Sequence, residues 1–404
     1  MDFSLQADPP GIGAFRKEVR GWLQENMRGS EGLRWSATWS TRENEEEYRF
    51  RRHLAGRLGR KGWLFPMFPA EYGGAGLTIH HQTVLETELA EYGLGLNHVF
   101  YTIARIVAPV ILKWGSEEQK REFLPPMVRG EISVWQVLTE PQGGSDVANC
   151  QTRAIRDGDH YVVSGQKVMV GHHKPPDFLW TLVCTDPSRP RHENLGWLHI
   201  PANLPGITIQ PMYMMMGLKN SVFFDGVRVP VKYLVGGENN GWRVANTHLE
   251  LEHGGEGRVG VDPLIERVVE YCQKTKIAGG PLMEDERVRG TIADMMIELN
   301  TLRRFNQRNY WHRFTRDPHP YGGAQQRYFQ RMMRLRNGER LQRIMGCDAL
   351  VQDLAVHEVV DFEYAVRTGP GQLHGGGTLD TDRLIFARRL GLGRPTKEQA
   401  PETI

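Results

Sequence analysis

The sequence predicts an α+β fold of three consecutive domains. Stretches in which apolar residues recur at helical spacing occupy the first and last parts of the 404-residue chain. Between them lie short β-rich runs that are separated by turns, with no long helical stretch to connect them. We therefore expect an N-terminal α-helical domain over residues 1–130, a central antiparallel β-barrel or sandwich over 131–240, and a C-terminal α-helical bundle over 241–404.

Helix-forming residues dominate the first domain. The segments 45–58 and 83–92 are rich in Glu, Arg and Leu, and their apolar residues follow the helical period. A turn-rich segment, 66–76, interrupts them with Pro and Gly. Ser116 is followed by two glutamates, a pattern typical of a helix N-cap, and predicts a helix that runs to Val128.

The second domain contains six predicted strands. Most of them are bounded by Gly, Pro, Asp or Asn, as in the pairs Asp157-Gly158 and Pro205-Gly206. Strands that follow one another without intervening helices indicate antiparallel pairing, because a parallel βαβ fold needs a helical crossover. No Gly-x-Gly-x-x-Gly motif follows any of these runs, which argues against a Rossmann dinucleotide site. The predicted strands are 161–163, 167–170, 178–184, 196–200, 207–210 and 222–229.

The third domain returns to long amphipathic helices. Residues 264–276 and 288–316 carry apolar stripes flanked by charged residues, the pattern of helices that pack in a bundle. Residues 321–336 are strongly basic, which leaves two interpretations open: a nucleic-acid patch, or a solvated helix face or subunit contact. We favour the second, because the net charge of the whole chain is only +2.

Composition excludes several classes of function. The 50 Lys and Arg residues are balanced by 48 Asp and Glu residues, so we expect no nucleic-acid partner. No apolar run approaches the roughly 20 residues of a membrane span, and the N-terminus lacks a secretory signal pattern. The four cysteines are scattered, which fits a reducing cytoplasm and argues against disulfides or a zinc site. Neighbouring histidines such as 80–81 and 172–173 diverge within regular elements, so we expect no metal there.

Several motifs occur in an order that is characteristic of one enzyme family. Residues 136–146 read Gln-Val-Leu-Thr-Glu-Pro-Gln-Gly-Gly-Ser-Asp, and Gly165-Gln-Lys167 follows downstream. Gly241-Trp242 comes after the predicted β-domain, and Gly376-Gly-Thr378 and the segment 387–392 lie near the end. Together these motifs cover nearly the whole chain, and in them the sequence resembles the flavin-dependent acyl-CoA dehydrogenases. The resemblance implies FAD as the cofactor and a four-helix bundle for the C-terminal domain.

The first of these motifs, which matches the family's flavin signature, carries groups that suit a flavin. FAD has a pyrophosphate that needs hydrogen-bond donors and a ring edge that needs both donors and acceptors. Gly143 and Gly144 allow close backbone approach, while Thr139 and Ser145 supply hydroxyls. A plain turn is the alternative interpretation of this segment taken alone. With the family's other positions, the predicted cofactor-binding residues are Gln136, Leu138, Thr139, Gly144, Ser145, Met169, Gly171, Gly376, Gly377, Thr378 and Asp382.

Some of these positions depart from the family pattern. Family members usually place an aromatic residue and then a hydroxyl residue after Gly-Gln-Lys, where this chain has Met169 and Gly171. Many members carry an Arg and a Phe for FAD contacts across subunits, where this chain has Thr275 and Ala278. Asp382 replaces the family's usual Gln. The resemblance thus implies FAD bound through altered contacts.

The resemblance also implies a reaction, the α,β-dehydrogenation of a thioester. In it a carboxylate removes an α-proton while a hydride leaves the β-carbon for flavin N5. Many members carry this Glu directly before the C-terminal Gly-Thr, a position that is Gly376 here. A second group carries it in a Leu-Glu-Arg motif on the helix after the β-domain. The Leu-Glu-His of this chain matches that motif and places the base at Glu252, with Glu256 as the reserve candidate.

Helical spacing gives independent support to Glu252. Ala245, Leu249 and Glu252 fall on one apolar stripe, whereas Glu250 lies on the polar side of the helix. A carboxylate on a buried stripe has a raised pKa, which suits a general base. The alternative is an ordinary glutamate that is solvated or ion-paired.

The family further implies partners for the enzyme. We expect an acyl-CoA substrate in lipid metabolism, an electron-transferring flavoprotein as acceptor, and a homodimer or homotetramer, or pairing with a related subunit. Two alternatives stay open. One is a flavin oxidase or monooxygenase on the same fold, of which Met169 and Gly171 would be the sign. The other is a non-catalytic subunit of a heteromeric dehydrogenase. Acyl chain length, and CoA against a carrier protein, also stay open.

Overall fold

The structure is a computed structural model, in which the chain divides into two compact units after Glu252. The first unit contains the predicted N-terminal and central domains and most of the following helix, and the second contains the remaining C-terminal helices. The domain boundaries after residues 130 and 240 stay predictions. The structure describes residues 8, 10–30, 33, 45–96, 104–171, 174–215, 217–253, 264–277, 279–314, 320–351 and 362–392.

Helices form the first part of the first unit, as predicted. The segment expected at 45–58 is confirmed as part of one helix, and the segment expected at 83–92 is confirmed up to Ala90, where a second helix ends. Their apolar faces share one core, which includes Leu54, Leu85 and Ile111. Among the described residues the helices are α1 (Ile12–Asn26), α2 (Glu45–Arg60), α3 (Ile79–Ala90), α4 (Ala104–Trp114) and α5 (Glu117–Val128).

The predicted N-cap of α5 is confirmed, and it also fixes the helix to the β-domain. The Ser116 hydroxyl accepts the Gln119 N–H at 3.2 Å, and the Gln119 side chain accepts the Ser116 N–H at 2.9 Å. The Gln119 amide then donates to the carbonyls of Lys232 and Leu234, at 2.8 and 2.7 Å. One buried side chain therefore joins the last helix of the first domain to the end of the sheet.

The central part of the first unit is a sheet. Its strands are β1 (Val134–Val137), β2 (Arg153–Asp157), β3 (His160–Val170), β4 (Phe178–Cys184), β5 (Leu195–Pro201), β6 (Ile207–Met214), β7 (Gly217–Pro230) and β8 (Leu234–Val235). They follow the order β6-β7-β3-β2-β4-β5-β8, with β1 on β4. Most neighbours are antiparallel, but β1 and β2 each pair with β4 in parallel. The sequence missed β1, β2 and β8, which are short.

The prediction of separate strands at 161–163 and 167–170 is wrong, because both belong to β3. The break between them is a register shift against β7 near Gly165, not a turn. A Cβ at Gly165, where φ is +151°, would lie 2.7 Å from the Thr152 Cα. The strand thus bends where the chain leading into β2 crosses closely over its backbone.

The second unit is helical and has its own core. The predicted helices at 264–276 and 288–316 are confirmed within the described residues, with bounds shifted by about one turn at most. Leu264, Val268, Met295 and Leu341 are among the buried residues of this core. The helix α6 (Gly241–His253) belongs to the first unit up to Glu252. The helices of the second unit are α7 (Leu264–Lys274), α8 (Glu286–Phe314), α9 (Gly322–Met345), α10 (Phe362–Thr368) and α11 (Leu379–Arg389).

The basic segment 321–336 lies in α9, and several of its arginines are engaged in ion pairs. Arg336 pairs with Glu298 of α8 at 2.7 Å, and Arg340, just beyond the segment, pairs with the same carboxylate at 2.6 Å. Arg331 is 9% exposed and faces α11. The expectation of a solvated helix face is therefore wrong for Arg331, which binds an acid inside the unit, and a subunit contact stays a prediction.

The predicted order of helical, β and helical parts is confirmed. No helix in the described ranges is long and apolar enough to cross a membrane.

Candidate active site

The flavin-signature motif folds as a tight loop at the end of β1. We call residues 138–146 the signature loop. The Glu140 N–H donates to the Gly143 carbonyl at 3.2 Å, and the Gly143 N–H donates back at 3.1 Å. The Glu140 side chain is buried and accepts the backbone N–H groups of Gln151 and Thr152, at 2.7 and 2.9 Å. This carboxylate therefore ties the loop to the start of β2.

Lys167 of β3 completes the support of the signature loop. Its ammonium lies 2.8 Å from the Glu140 carboxylate, and the two side chains are 0% and 4% exposed. It also donates to the Leu138 carbonyl at 3.1 Å. Burial by itself would raise the pKa of Glu140, but Lys167 and the N–H donors lower that pKa to about 2. The sequence showed both residues within motifs but missed their pairing, because nothing local reveals a contact between distant strands.

The signature loop presents polar groups beside an exposed methionine. Gly144 and Ser145 are exposed, and Thr139 is partly exposed. The Thr139 carbonyl accepts the N–H of Val168 at 2.9 Å, which brings the following residue, Met169, alongside the loop. Met169 is 50% exposed and has a φ of +61°. The structure thus brings together four of the predicted cofactor residues, those just named as exposed or partly exposed. Leu138, also predicted to contact the cofactor, is instead buried in the helical core.

Gly171 departs from the family's hydroxyl residue for a steric reason. Its φ is +56°, and a Cβ at this position would lie 2.1 Å from the Trp135 Cδ2 atom. The Trp135 indole is 3% exposed and lies in the core behind the sheet. A side chain at residue 171 would have to displace this ring. The position of the Trp135 indole on β1 therefore requires glycine at residue 171 in place of the family's hydroxyl residue.

Glu252 lies on the inward side of α6. Ala245, on the predicted stripe, is buried, and Glu250 is exposed. The Glu252 side chain is 20% exposed, and its Oε2 atom accepts a hydrogen bond of 3.2 Å from the Gln136 side-chain amide. Two residues that the sequence assigned to different roles are thus in contact. The reserve candidate, Glu256, lies outside the described residues.

His248 is the site residue that sequence reasoning missed. It lies one turn before Glu252, is fully buried, and places its Nε2 atom 4.0 Å from the Glu252 Oε2 atom. Its ring lies 5.0 Å from that of Trp197, whose indole N–H donates to the Gly241 carbonyl at 2.9 Å. Its i,i+4 spacing to Glu252 is visible in the sequence and was the available signal.

A second set of predicted residues gathers in the second unit. The Thr378 hydroxyl accepts the Thr381 N–H at 3.1 Å and caps α11. Arg331 donates to the carbonyls of Gly375, Gly376 and Gly377, at 2.7 and 3.2 Å for the first two.

The same arginine reaches a buried acid in this second set. The Arg331 Nε atom lies 3.1 Å from Asp382, and Arg327 pairs with that carboxylate as well. Asp382 is 0% exposed, so its carboxylate orders the arginines that hold the glycine turn. Sequence reasoning missed both arginines, although their i,i+4 spacing within a basic run was visible.

Two predicted features cannot be placed. Ala278 and the histidine pair 172–173 lie outside the described residues. Over the part of the chain that is described, no three His, Cys, Asp or Glu side chains converge as a metal site requires.

Family comparisons cover almost the whole chain. The family models for the N-terminal, middle and C-terminal domains of acyl-CoA dehydrogenases match residues 13–131, 136–227 and 239–391, respectively. The chain therefore belongs to the acyl-CoA dehydrogenase family, a family of flavoproteins.

Named relatives agree with this assignment. The chain is 35% identical to acyl-CoA dehydrogenase FadE26 of Mycobacterium tuberculosis, over 63% of this chain and 64% of that protein. It is 32% identical to acyl-CoA dehydrogenase IpdE1 of the same organism, over 68% of this chain and 72% of that protein. The alignment thus spans slightly less than two thirds of FadE26 and more than two thirds of IpdE1.

Solved structures show the same fold. The Tcur3481-Tcur3483 steroid ACAD superposes with a TM-score of 0.81 at 27% identity, covering 98% of this chain and 100% of that chain. The ChsE4-ChsE5 complex from Mycobacterium tuberculosis gives 0.78 at 27% identity, with the same coverage. The N-terminal helical, central β and C-terminal helical order is therefore that of the family.

Proposed function

We propose that this chain is an FAD-dependent acyl-CoA dehydrogenase in which Glu252 is the catalytic base. The observation that carries the proposal is the 3.2 Å hydrogen bond between the Glu252 carboxylate and Gln136, the first residue of the flavin-signature motif. It puts a half-buried carboxylate beside the strand that leads into the signature loop. Dehydrogenation needs this arrangement, since proton and hydride leave adjacent carbons of one substrate.

The residues around the signature loop suit FAD. Thr139 and Ser145 offer hydroxyls, and the exposed backbone at Gly144 can be approached closely by a polar ligand. Met169 adds an exposed, polarisable surface on which a ring can pack. We assign these four residues to FAD binding. When bound, FAD would supply the acceptor for the substrate hydride.

The glycine turn of the second unit contains the remaining predicted cofactor residues. We assign Gly376, Gly377 and Thr378 to FAD binding on the strength of the family resemblance. Asp382 is buried against Arg327 and Arg331, so we assign it a supporting role through these arginines. This differs from a direct contact with the cofactor, which its sequence position had predicted.

Glu252 would take the α-proton of the thioester. A carboxylate oxygen forms the new O–H bond, and the electron pair left on the α-carbon forms the double bond as the β-hydride departs. Partial burial limits the water around Glu252, which makes the carboxylate a stronger base than a fully solvated one. The buried side of α6 holds its backbone in place while the proton moves.

The substitution Glu252→Gln tests the base. We expect the variant to keep its flavin and its fold, because glutamine has the same shape, and to lose flavin reduction by acyl-CoA by about 10³-fold or more. The measurement is anaerobic stopped-flow bleaching of the flavin absorbance. Glu250→Gln, on the exposed side of the same helix, is the matched control and should reduce at the parent rate. Parent-like reduction in Glu252→Gln would remove Glu252 from the mechanism.

The partners follow from the relatives. We propose an acyl-CoA ester as substrate and an electron-transferring flavoprotein as acceptor. The relatives with two-component names, Tcur3481-Tcur3483 and ChsE4-ChsE5, favour a hetero-oligomer with a related subunit over a homodimer or homotetramer. Thr275 in place of the family's Arg supports this choice, because a partner could then supply the missing FAD contact. Gel filtration of the chain alone, and after co-expression with a candidate subunit, would distinguish these states.

Substrate class and compartment are part of the same proposal. The steroid ACAD likeness favours a bulky, ring-bearing acyl-CoA, so the anaerobic assay should compare such esters with straight-chain ones. An ester that bleaches the flavin would identify the class of substrate.

The four cysteines form no disulfide in the described structure, and we place the enzyme in a reducing cytoplasm.

A further inference from the structure

We infer that Gln136 is a positioning residue for the catalytic base, and that it holds the Glu252 carboxylate together with His248. The inference rests on the proposed role of Glu252. It changes the assignment of Gln136, which the sequence analysis placed among the cofactor contacts. The geometry that supports it involves two elements, the strand β1 and the helix α6, each of which brings a side chain near the same carboxylate oxygen.

The strand places the Gln136 amide rigidly. Its neighbours Trp135 and Val137 are buried on one face of the sheet, and strand alternation turns Gln136 to the other face. Gln136 pairs in register with Trp180 of β4, a fully buried residue. The side-chain amide therefore starts from a fixed backbone, and it donates to the Glu252 Oε2 atom at 3.2 Å.

The helix supplies the second support. His248 is 0% exposed, and its ring lies 5.0 Å from the Trp197 ring of β5. Its Nε2 atom is 4.0 Å from the same Glu252 Oε2 atom. The Gln136 hydrogen bond restricts rotation of the carboxyl group, and the buried His248 ring limits the space beside the same oxygen. An oriented carboxylate loses less entropy on reaching the geometry for proton transfer.

The Gln136 amide has an electrostatic effect as well. A hydrogen-bond donor stabilises the ionised form of a carboxylate, whereas partial burial favours the protonated form. Gln136 thus opposes the effect of burial and keeps the base deprotonated at lower pH. Among the described residues, the groups that face Glu252 include this neutral amide on β1 and the imidazole of His248 on its own helix. Neither group takes the proton in the chemical step.

The variants Gln136→Leu and Gln136→Glu test the inference in the purified holoenzyme. For Gln136→Leu we expect parent-like flavin content, flavin reduction about tenfold slower at neutral pH, and a KM changed by less than about twofold. We also expect the acid limb of the rate profile to move up by about one pH unit. Gln136→Glu keeps the shape but replaces the donor with a second carboxylate, so its acid limb should move further. His248→Gln should slow reduction about threefold with flavin retained.

Controls separate this inference from its rivals. Gln210→Leu makes the same change at an exposed position of β6 and should alter neither the rate nor the pH profile. A purely packing role for Gln136 predicts that the isosteric Gln136→Glu behaves like the parent, which would overturn the inference. Loss of flavin with an unshifted pH profile would make Gln136 a cofactor contact and would also overturn it. If Glu252→Gln itself reduces flavin normally, the proposed function fails first, whatever the Gln136 variants do.

Discussion

At the scale of single residues, the contact between Gly171 and Trp135 explains why this chain lacks the family's hydroxyl residue at position 171. The indole of β1 occupies the space that a side chain at residue 171 would need, 2.1 Å from the position of its Cβ. The backbone there also has a φ of +56°, which side chains rarely adopt. The hydroxyl that the family presents at this position is therefore excluded by packing.

Substituting Gly171 measures this packing. We expect Gly171→Ala to lower the free energy of unfolding by about 3 kcal/mol, the sum of a left-handed backbone and an overpacked contact. Gly226→Ala is the matched control, because its φ is +61° and no atom lies within 4 Å of the added Cβ. The control should cost about 1–2 kcal/mol. Urea unfolding of both variants is the measurement, and equal losses would mean that Trp135 moves aside at no cost.

His199 gives the molecule a specific sensitivity to acid. Its ring stacks on that of Phe178 at 4.3 Å and lies 5.0 Å from that of Phe123. Burial lowers the pKa of His199 to about 3, and within the described residues neither ring nitrogen has a hydrogen-bond partner. The unfolded chain takes up this proton near pH 6.5, before the folded one can. Stability from the neutral imidazole is therefore present above about pH 6.5 and is lost as the pH falls toward 3.

The variant His199→Leu tests this effect. A single such group changes the free energy of unfolding by about 1.4 kcal/mol per pH unit, so the parent should lose up to about 2 kcal/mol from it between pH 6.5 and 5. The variant should lose less than the parent by that amount. Urea unfolding of both proteins at pH 7 and at pH 5 is the measurement. The same loss in both proteins would show that His199 is protonated in the folded state.

At the scale of elements, the signature loop depends on one buried ion pair. Glu140 and Lys167 are both almost inaccessible and lie 2.8 Å apart. We expect Lys167→Met to destabilise the protein by about 3–5 kcal/mol, because it leaves a buried carboxylate without its cation. The loop should loosen, and the ratio of bound flavin to protein should fall. Thermal unfolding and the flavin absorbance of the purified protein measure the two effects.

A surface ion pair is the control for this prediction. Lys232 pairs with Glu122 at 2.7 Å, but their side chains are 54% and 47% exposed. Lys232→Met should change stability by about 1 kcal/mol or less and leave flavin binding intact. If Lys167→Met were as mild as this control, the buried pair would not be what holds the loop.

The elements also show how far the sequence could predict the site. Periodicity correctly indicated the long helices, the strand 178–184 and the inward side of α6 that carries Ala245. These features could be predicted because the spacing of apolar residues within an amphipathic element shows which of its faces is buried. The contacts of Gln136 with Glu252 and of Glu140 with Lys167 join residues far apart in the chain. No local pattern encodes them, so they needed the folded structure. The short β1 was missed for a related reason: four residues carry too little periodicity.

At the scale of the whole molecule, the two units have separate hydrophobic cores. The first unit contains the signature loop, Glu252 and His248, and the second contains the turn at 375–378 held by Arg331. Each predicted set of site residues is therefore ordered by contacts inside its own unit. A mutation in one core is expected to act first on the residues that this core supports.

Separate cores predict two unfolding transitions. Nine of the ten tryptophans precede residue 253 in the sequence, and Trp311 follows it. Tryptophan fluorescence should therefore report mainly on the first unit, while far-UV circular dichroism reports on the helices of both. Leu341 is fully buried in the core of the second unit, and Leu341→Ala should cost that unit about 2–5 kcal/mol. We expect urea to shift the circular-dichroism transition of this variant to a lower midpoint while the fluorescence midpoint stays. Leu85→Ala, in the core of the first unit, should do the reverse. If both probes shift together in both variants, the two units unfold as one cooperative body, and a defect in either core would reach both sets of predicted site residues.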